Sequence, residues 1–397
     1  MSKKSVAIVG AGPAGLMAAE VLSQYNYDIH VFEQMPSAAR KFLMAGKTGL
    51  NISHAEELSQ FIHRYDQVEW LKPWITQFNA QWIRAWMDDL GITSYVGSSG
   101  RIFPLEMKAA PLLRAWLKRL SNTGVQFHYR HKCTGIEQKK LTYIDTSVNQ
   151  SIESEKLFDA VVLACGAVSW PKLGSDGQWQ TWLQQHELQP FVASNVGVEF
   201  SWSKYMKPIF GQPLKRIQAW TSSQHKVDGD IVITHYGFES GVIYRLNRTL
   251  RTSKVLFLDL LPHLSEDELV RKLNHTKKQS LSNIWRKAGL DQVKIALLRE
   301  IVEKELWQQP EKMASQIKNL CISIEGFRPI EEAISCAGGV KENVLSPMLE
   351  LNSQSGIFCC GEMLDWDAPT GGYLLTACFA TGRIAGEGAH LFLCKNN

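Results

Sequence analysis

Ser5-Val-Ala-Ile-Val-Gly10-Ala-Gly12-Pro-Ala-Gly15-Leu-Met-Ala-Ala-Glu20 is the stretch from which the fold of this chain is read. Ser5 to Val9 is a short apolar run with the character of a buried strand. Ala14 to Gln24 has helical spacing, and Asp28 to Phe32 reads as a second strand. Strand, glycine turn, helix, strand is the opening of a parallel doubly wound fold. A lone Gly-x-Gly-x-x-Gly is a weak signal, but here it has that context, and Glu33 follows Gly15 by 18 residues. Gly10 permits the tight turn, Gly12 lets backbone amides reach a pyrophosphate, and Gly15 lets helix and strand pack closely. Ala11, Pro13 and Ala14 complete the loop. The phosphate belongs at the helix N-terminus, where unpaired amides and the dipole favour an anion. Glu33, with Gln34 beside it, is placed to accept hydrogen bonds from ribose hydroxyls.

The far end of the chain separates FAD from NAD. Gly356-Ile-Phe-Cys-Cys-Gly361-Glu362 reads as a short buried strand whose tip carries an acidic pair, Glu362 with Asp365. Pro369-Thr-Gly371-Gly372-Tyr373 then opens a helix rich in small residues. In FAD proteins of this kind such a helix N-terminus faces the N1 and O2 edge of the flavin and stabilises its reduced anion. No second Gly-x-Gly-x-x-Gly follows a strand, so a dedicated nicotinamide domain is not expected.

Between these ends the texture changes. Trp70, Trp74, Trp82 and Trp86 recur at helix-like spacing in 55–90, with Pro73 expected to interrupt; core packing is the plainer reading than a ligand wall. Ala109 to Leu120 reads as a helix, and Leu157 to Ala164 as one apolar strand. After about residue 190, short β-like segments suggest a β-rich unit. Ser265-Glu-Asp-Glu268 resembles a capping box opening a helical stretch, 266–320. The expectation is an α/β, split Rossmann-like FAD domain, 1–190 and 328–397. Within it lies a β-barrel-like unit (191–264 and 321–327) and a helical one (265–320).

Composition sets the outer limits. At 397 residues, 45% hydrophobic and 21% charged, the chain has the make-up of a soluble globular protein of two or three units. A formal charge of +4 calls for neither nucleic acid nor membrane. Lys3-Lys4 before an apolar run imitates a secretory signal, but the run is too short, and no segment approaches a membrane span. Eight scattered cysteines, none at metal-ligand spacing, point to a reduced, cytoplasmic protein without a metal site. Cys359 and Cys360 read as buried strand residues. The oligomeric state is left open.

Several separated motifs together resemble the BaiN-like (YhiN-like) NAD(P)/FAD-dependent flavoproteins, a family that includes aminoacetone oxidase. They are Val6–Gly15, Arg40–Asn51, Gly100–Pro104, Ala164–Lys172 with Gly174-Ser175, Thr234–Gly237 with Ser240-Gly241, Ala337–Val340, and Gly361 through Tyr373. The resemblance implies FAD lined by Arg40, Lys41 and Asn51, with Ala164, Cys165 and Gly166 beneath the adenosine end. It also implies a backbone contact from Cys133 or Thr134 to adenine. The family loop commonly reads Gly-Gly-Gly-Arg-Cys-Asn, whereas this chain has Gly46-Lys-Thr-Gly49-Leu50-Asn51, the mark of a divergent subgroup.

Catalytic residues do not stand out. His235, Tyr236, Trp170, Lys172 and Tyr373 are candidates to face a substrate, each with a structural role as the plainer reading. Arg271, Lys272, Lys277, Lys278, Arg286 and Lys287 around Trp285 could form a basic surface with an exposed aromatic for RNA, against the plainer solvated helix face. The expected function is redox chemistry on a small organic molecule by hydride transfer at flavin N5. An NAD(P)H-linked reductase, with NADH or NADPH as transient donor, competes with an oxygen-using amine oxidase. The inserted unit is expected to cover the flavin ring.

Overall fold

The computed structural model describes residues 3–47, 49–148, 153–222, 226–274 and 279–395. It separates into two units, Met1–Val192 with Ser335–Asn397, and Ala193–Ile334. Each has its own hydrophobic core.

In the first unit five parallel strands lie in the order Ile357–Cys359, Ala160–Leu163, Ser5–Val9, Asp28–Glu33, Gln126–Tyr129. Val6, Ala7 and Ile8 are wholly buried, as a parallel sheet covered on both faces requires. From Ser5–Val9 the chain moves first to one side and later to the other, so Gly10 leaves the sheet where strand order reverses. That is the place where doubly wound folds bind ligands. Helix Pro13–Leu22 packs along the C-terminal helix Tyr373–Lys395. A Cβ on Gly382 would lie 2.2 Å from the Ala14 carbonyl oxygen, so the small residues of that helix mark backbone contact.

Two expectations for this unit are corrected. Pro73 does not interrupt its helix, which runs unbroken over Val68–Gln77. Its ring costs about 3 kcal/mol, while Trp70, Leu71, Trp74 and Ile75 are buried on the same helix at about 1.5–3 kcal/mol each. The apolar run at 157–164 is not one strand either. Glu153–Leu157 belongs to an antiparallel three-stranded sheet with His131–Glu137 and Lys140–Asp145, and Leu157 is 66% exposed. Only Ala160–Leu163 enters the parallel sheet. The tryptophans pack as core: Trp86 lies 5.5 Å from Phe379 and gives its indole N–H to Glu20. Cys359 and Cys360 are buried free thiols.

The second unit is built on seven antiparallel strands, ordered Leu320–Ser323, Val255–Asp259, Pro213–Trp220, Val227–Thr234, Gly237–Glu239, Val198–Glu199, Gly326–Phe327. Helices Glu266–Leu273, Leu281–Ala288, Gln292–Ile301 and Pro310–Lys318 share its core. Ser265 and Glu268 form the reciprocal capping box. Helix Gly241–Ser253 was not anticipated; Ser240 caps it. Trp285 is 1% exposed and packs edge-on to Trp307 at 5.9 Å, so the exposed aromatic expected at the basic stretch is a core residue. Lys277 and Lys278 lie outside the described residues. Among the described residues no helix is long and apolar enough to cross a membrane.

Candidate functional site

A cleft of about 940 Å³, its mouth included, opens in the first unit where Ser5–Val9 and Ala160–Leu163 end. Gly10 turns the chain at φ 104°, and its amide donates to Phe32 O at 2.8 Å. A Cβ on Gly10 would collide with Ala164 O at 2.3 Å, and one on Gly15 with Gly10 O at 2.0 Å. Those two glycines serve the packing. Gly12 differs: a Cβ there meets nothing within 4 Å and would project into open space. Helix Pro13–Leu22 starts at this point without a side-chain cap and with no acid in its first turn. Pro13 lacks an N–H, and the amides of Ala14 and Gly15 have no acceptor within the helix. The result is a donor-rich, positively polarised corner.

Gly10, Gly12, Pro13, Ala14, Glu33, Gln34, Arg40, Lys41, Cys133, Ala164, Cys165, Gly166, Gly361 and Glu362 all line this cleft. Glu33 accepts from the amides of Ala11 (3.0 Å) and Met35 (2.9 Å), pinning the turn. Burial raises its pKa, against those two amides and Arg40. Lys41 donates to Glu362 at 2.8 Å and to Ser169 at 2.7 Å, so charge on that wall is balanced. Burial pushes the Cys165 thiol well above the ordinary range, which leaves it unsuited to be a nucleophile. Arg40 Nε is buried without a partner.

The other expected residues stand elsewhere. Ala11 and Gly15 support the turn from behind. Thr134 donates to Glu153 at the surface. Asp365 donates its amide to Val340 O at 2.9 Å. Burial and the neighbouring Asp66 carboxylate raise its pKa. Gly371 and Gly372 adopt φ 138° and 96°, and a Cβ on Gly372 would strike the Ser53 backbone at 2.4 Å. The 49–53 loop therefore lies against the start of the C-terminal helix. There Asn51 Oδ1 is buried with no partner, while Leu50 is wholly buried. Tyr373 stacks on His54 and donates its hydroxyl to Glu56, which Arg64 holds through two bonds. In the second unit the Tyr236 hydroxyl is given to Glu239, and His235 packs edge-on to Tyr236. Trp170 and Lys172 are exposed.

The sequence reading missed one wall: His131, Lys132, Asp176, Trp179 and Trp182. Lys132 faces Asp176 at 3.5 Å, and the Trp179 indole holds Gly166 O at 2.8 Å. His131 and Lys132 open the strand His131–Glu137, while Asp176, Trp179 and Trp182 lie in loop and short 3-10 chain without periodicity, to which only the quoted Gly174-Ser175 pair pointed. Empty space above Gly12 and the orphaned polar atoms of Arg40 and Asn51 fit a dinucleotide.

The profile of the HI0933-like protein Rossmann domain matches residues 4–388. The chain is 24% identical to a 3-dehydro-bile acid delta(4,6)-reductase of Clostridium scindens, over 97% of this chain and 98% of that protein. It is also 24% identical to a ribosomal RNA dihydrouridine synthase of Haemophilus influenzae, over 92% and 93% respectively. Among solved structures, a 3-ketosteroid-delta4-(5alpha)-dehydrogenase of Rhodococcus jostii RHA1 superposes with a TM-score of 0.52 at 14% identity, covering 98% of this chain and 97% of that one. A flavocytochrome c3 fumarate reductase gives 0.51 at 12% identity, covering 98% and 78%.

Proposed function

The chain belongs to the HI0933-like Rossmann family and is an FAD-dependent oxidoreductase, and from that premise we propose that it reduces a carbon–carbon double bond conjugated to a carbonyl, with NADH or NADPH as donor. The curated relatives carry the choice of direction. One is named for reducing the delta(4,6) bonds of a 3-dehydro-bile acid, the other for making dihydrouridine. Both names describe saturation of a double bond in conjugation with a carbonyl.

The observation that supports the cofactor's place is the open space at Gly12, beside a helix N-terminus with free amides. In this reading Gly10 through Gly15 carry the pyrophosphate, Glu33 and Gln34 the ribose, and the backbone of Cys133 or Thr134 contacts adenine. Lys41, held by Glu362, orients the middle of the cofactor, and Arg40 supplies a second cation there. Asn51, Gly371, Gly372 and Tyr373 belong to the flavin end, with Asp365 and Glu362 along the ribityl chain. When bound, FAD accepts and delivers a hydride at N5. The Glu56–Tyr373–His54 set is then a positioning group, because the Tyr373 proton is already committed to Glu56.

Anaerobic turnover of the holoprotein with a nicotinamide nucleotide and a panel of conjugated enones tests this, with mass spectrometry of the product. The expected product gains two hydrogens across the double bond. Oxidation of an amine with peroxide release in air, and no saturated product from any enone, would move the assignment to the oxidase reading.

A further inference from the structure

Beside the cleft, the first unit carries a second concavity that shares only Arg40 and Leu173 with it. It is an open groove of about 1280 Å³, mouth included, between helix Arg40–Ala45 and the start of helix Ala109–Asn122. Arg40, Lys47, Lys108 and Arg114 line it, and among the described residues no carboxylate does. Elsewhere in this unit Lys41, Arg64, Arg119, Lys132 and Lys140 each face a carboxylate within 3.5 Å. In the groove the recorded hydrogen bonds of these cations go to neutral oxygens: Arg40 to Ser37 Oγ and Lys108 to Lys47 O, both at 3.4 Å.

Local structure sharpens the charge. Gly46 sits on the helix start, where its Cβ would lie 2.5 Å from that of Ala109, and so brings Lys47 beside Lys108. The residue at the N-cap is Lys108, no side chain accepts from the first turn, and that turn holds no acid. Asn79, Ser240, Ser265 and Asp291 cap other helices of this chain through side-chain oxygens. A cation at the positive end of a 14-residue helix is unfavourable by itself. A multiply charged anion in the groove reverses that sign.

We propose that this groove binds phosphate groups of a nucleotide ligand that reacts at the neighbouring cofactor. Guanidinium forks and a helix N-terminus both match phosphate oxygens. Arg40 and Leu173 line groove and cleft alike, so a ligand held here lies next to the cofactor. The proposal rests on the reductase reading. The phosphates are then either the 2′-phosphate of NADPH, which NADH lacks, or those of a nucleic acid that carries the base to be reduced.

The test is the Lys108→Glu/Arg114→Glu holoprotein, since neither residue lines the cofactor cleft and both are exposed. Unchanged flavin content establishes that the variant is folded, and Lys108→Arg/Arg114→Lys serves as the rescue. Anaerobic flavin reduction by NADPH, about tenfold slower with NADH unaffected, identifies the dinucleotide as the source. Weaker retention of a transcribed RNA hairpin, with the salt slope smaller by about 0.7 per lost contact, identifies nucleic acid. If neither changes while flavin is retained, the proposal is overturned. A wild-type protein reduced by neither nicotinamide fails the reductase reading, and the RNA arm still decides the groove.

Discussion

Gly10 and Gly12 stand two residues apart and lack a side chain for different reasons. Gly12→Leu adds bulk to open space, so the fold should persist while the protein purifies colourless. A yellow variant with full flavin content would show that the phosphate is not carried at Gly12. Gly10→Ala forces a Cβ into the Ala164 carbonyl at φ 104°, and the expected loss is of stability as well as flavin. The sequence reading assigned Gly10 to the turn and Gly12 to the approach of a pyrophosphate; the coordinates add that a Cβ would clash at Gly10 and meet nothing at Gly12. His128 makes a second residue-scale prediction. It stacks on Phe32 at 4.8 Å and meets His30 through a 2.9 Å hydrogen bond. Burial, with the positive neighbours His30, His131 and Lys156, pushes its pKa down to about 4. Unfolded it titrates near about 6.5, so between those values the unfolded chain binds more protons. Its contribution to stability is full above about pH 6.5 and is lost as pH falls toward about 4. Urea unfolding across that window should show the decline, and His128→Phe should flatten it; an equal slope in both proteins would contradict the assignment.

Helix Pro13–Leu22 shows how elements hold the cleft. Glu20 on its buried face accepts from the Trp86 indole at 3.1 Å and from Arg119 at 3.1 Å, tying helices Ala80–Asp89 and Ala109–Asn122 to it. Glu20→Ala leaves the Trp86 indole N–H unpaired and Arg119 with Asp89 alone at 2.9 Å, and should cost about 1–3 kcal/mol, read by chemical denaturation. Gly382→Ala separates propensity from packing. Alanine should gain about 1 kcal/mol as a helix former, yet its Cβ would lie 2.2 Å from Ala14 O. A lowered melting temperature with weaker flavin retention is expected, whereas a rise would mean that the two helices do not touch as described. Much at this scale was legible: strand, turn, helix and strand at the N-terminus, and the small-residue helix at the C-terminus. Pro73 was misread because burial of its helix outweighed the ring, and the 157–164 run because Leu157 pairs with Lys140 in a second sheet before the chain enters the parallel one. Trp285 was misread because a helix with charged neighbours still turned that one side chain inward.

At the scale of the whole molecule, the two ends of the chain meet in one sheet: Ala160–Leu163 and Ile357–Cys359 pair in parallel beside Ser5–Val9. The sequence reading joined both ends in one domain from their glycine-rich motifs, without naming which strands pair. The wall formed by Asp176 and Trp179 was not readable, since irregular chain carries no periodic signal, and nothing in the sequence aimed Lys132, at the start of the strand His131–Glu137, at it. The substrate was not legible either, because hydride transfer needs a clamped molecule more than a conspicuous acid or base. We propose that residues 191–327 form the insertion into the FAD domain. We propose that this flavoprotein takes its electrons from a nicotinamide nucleotide and gives them to a conjugated double bond. Anaerobic titration of the holoprotein, followed by flavin absorbance, tests it most directly. NADH or NADPH should bleach the flavin, and a conjugated enone added without oxygen should restore the colour. Bleaching by an amine alone, with peroxide formed when air is readmitted, would contradict it.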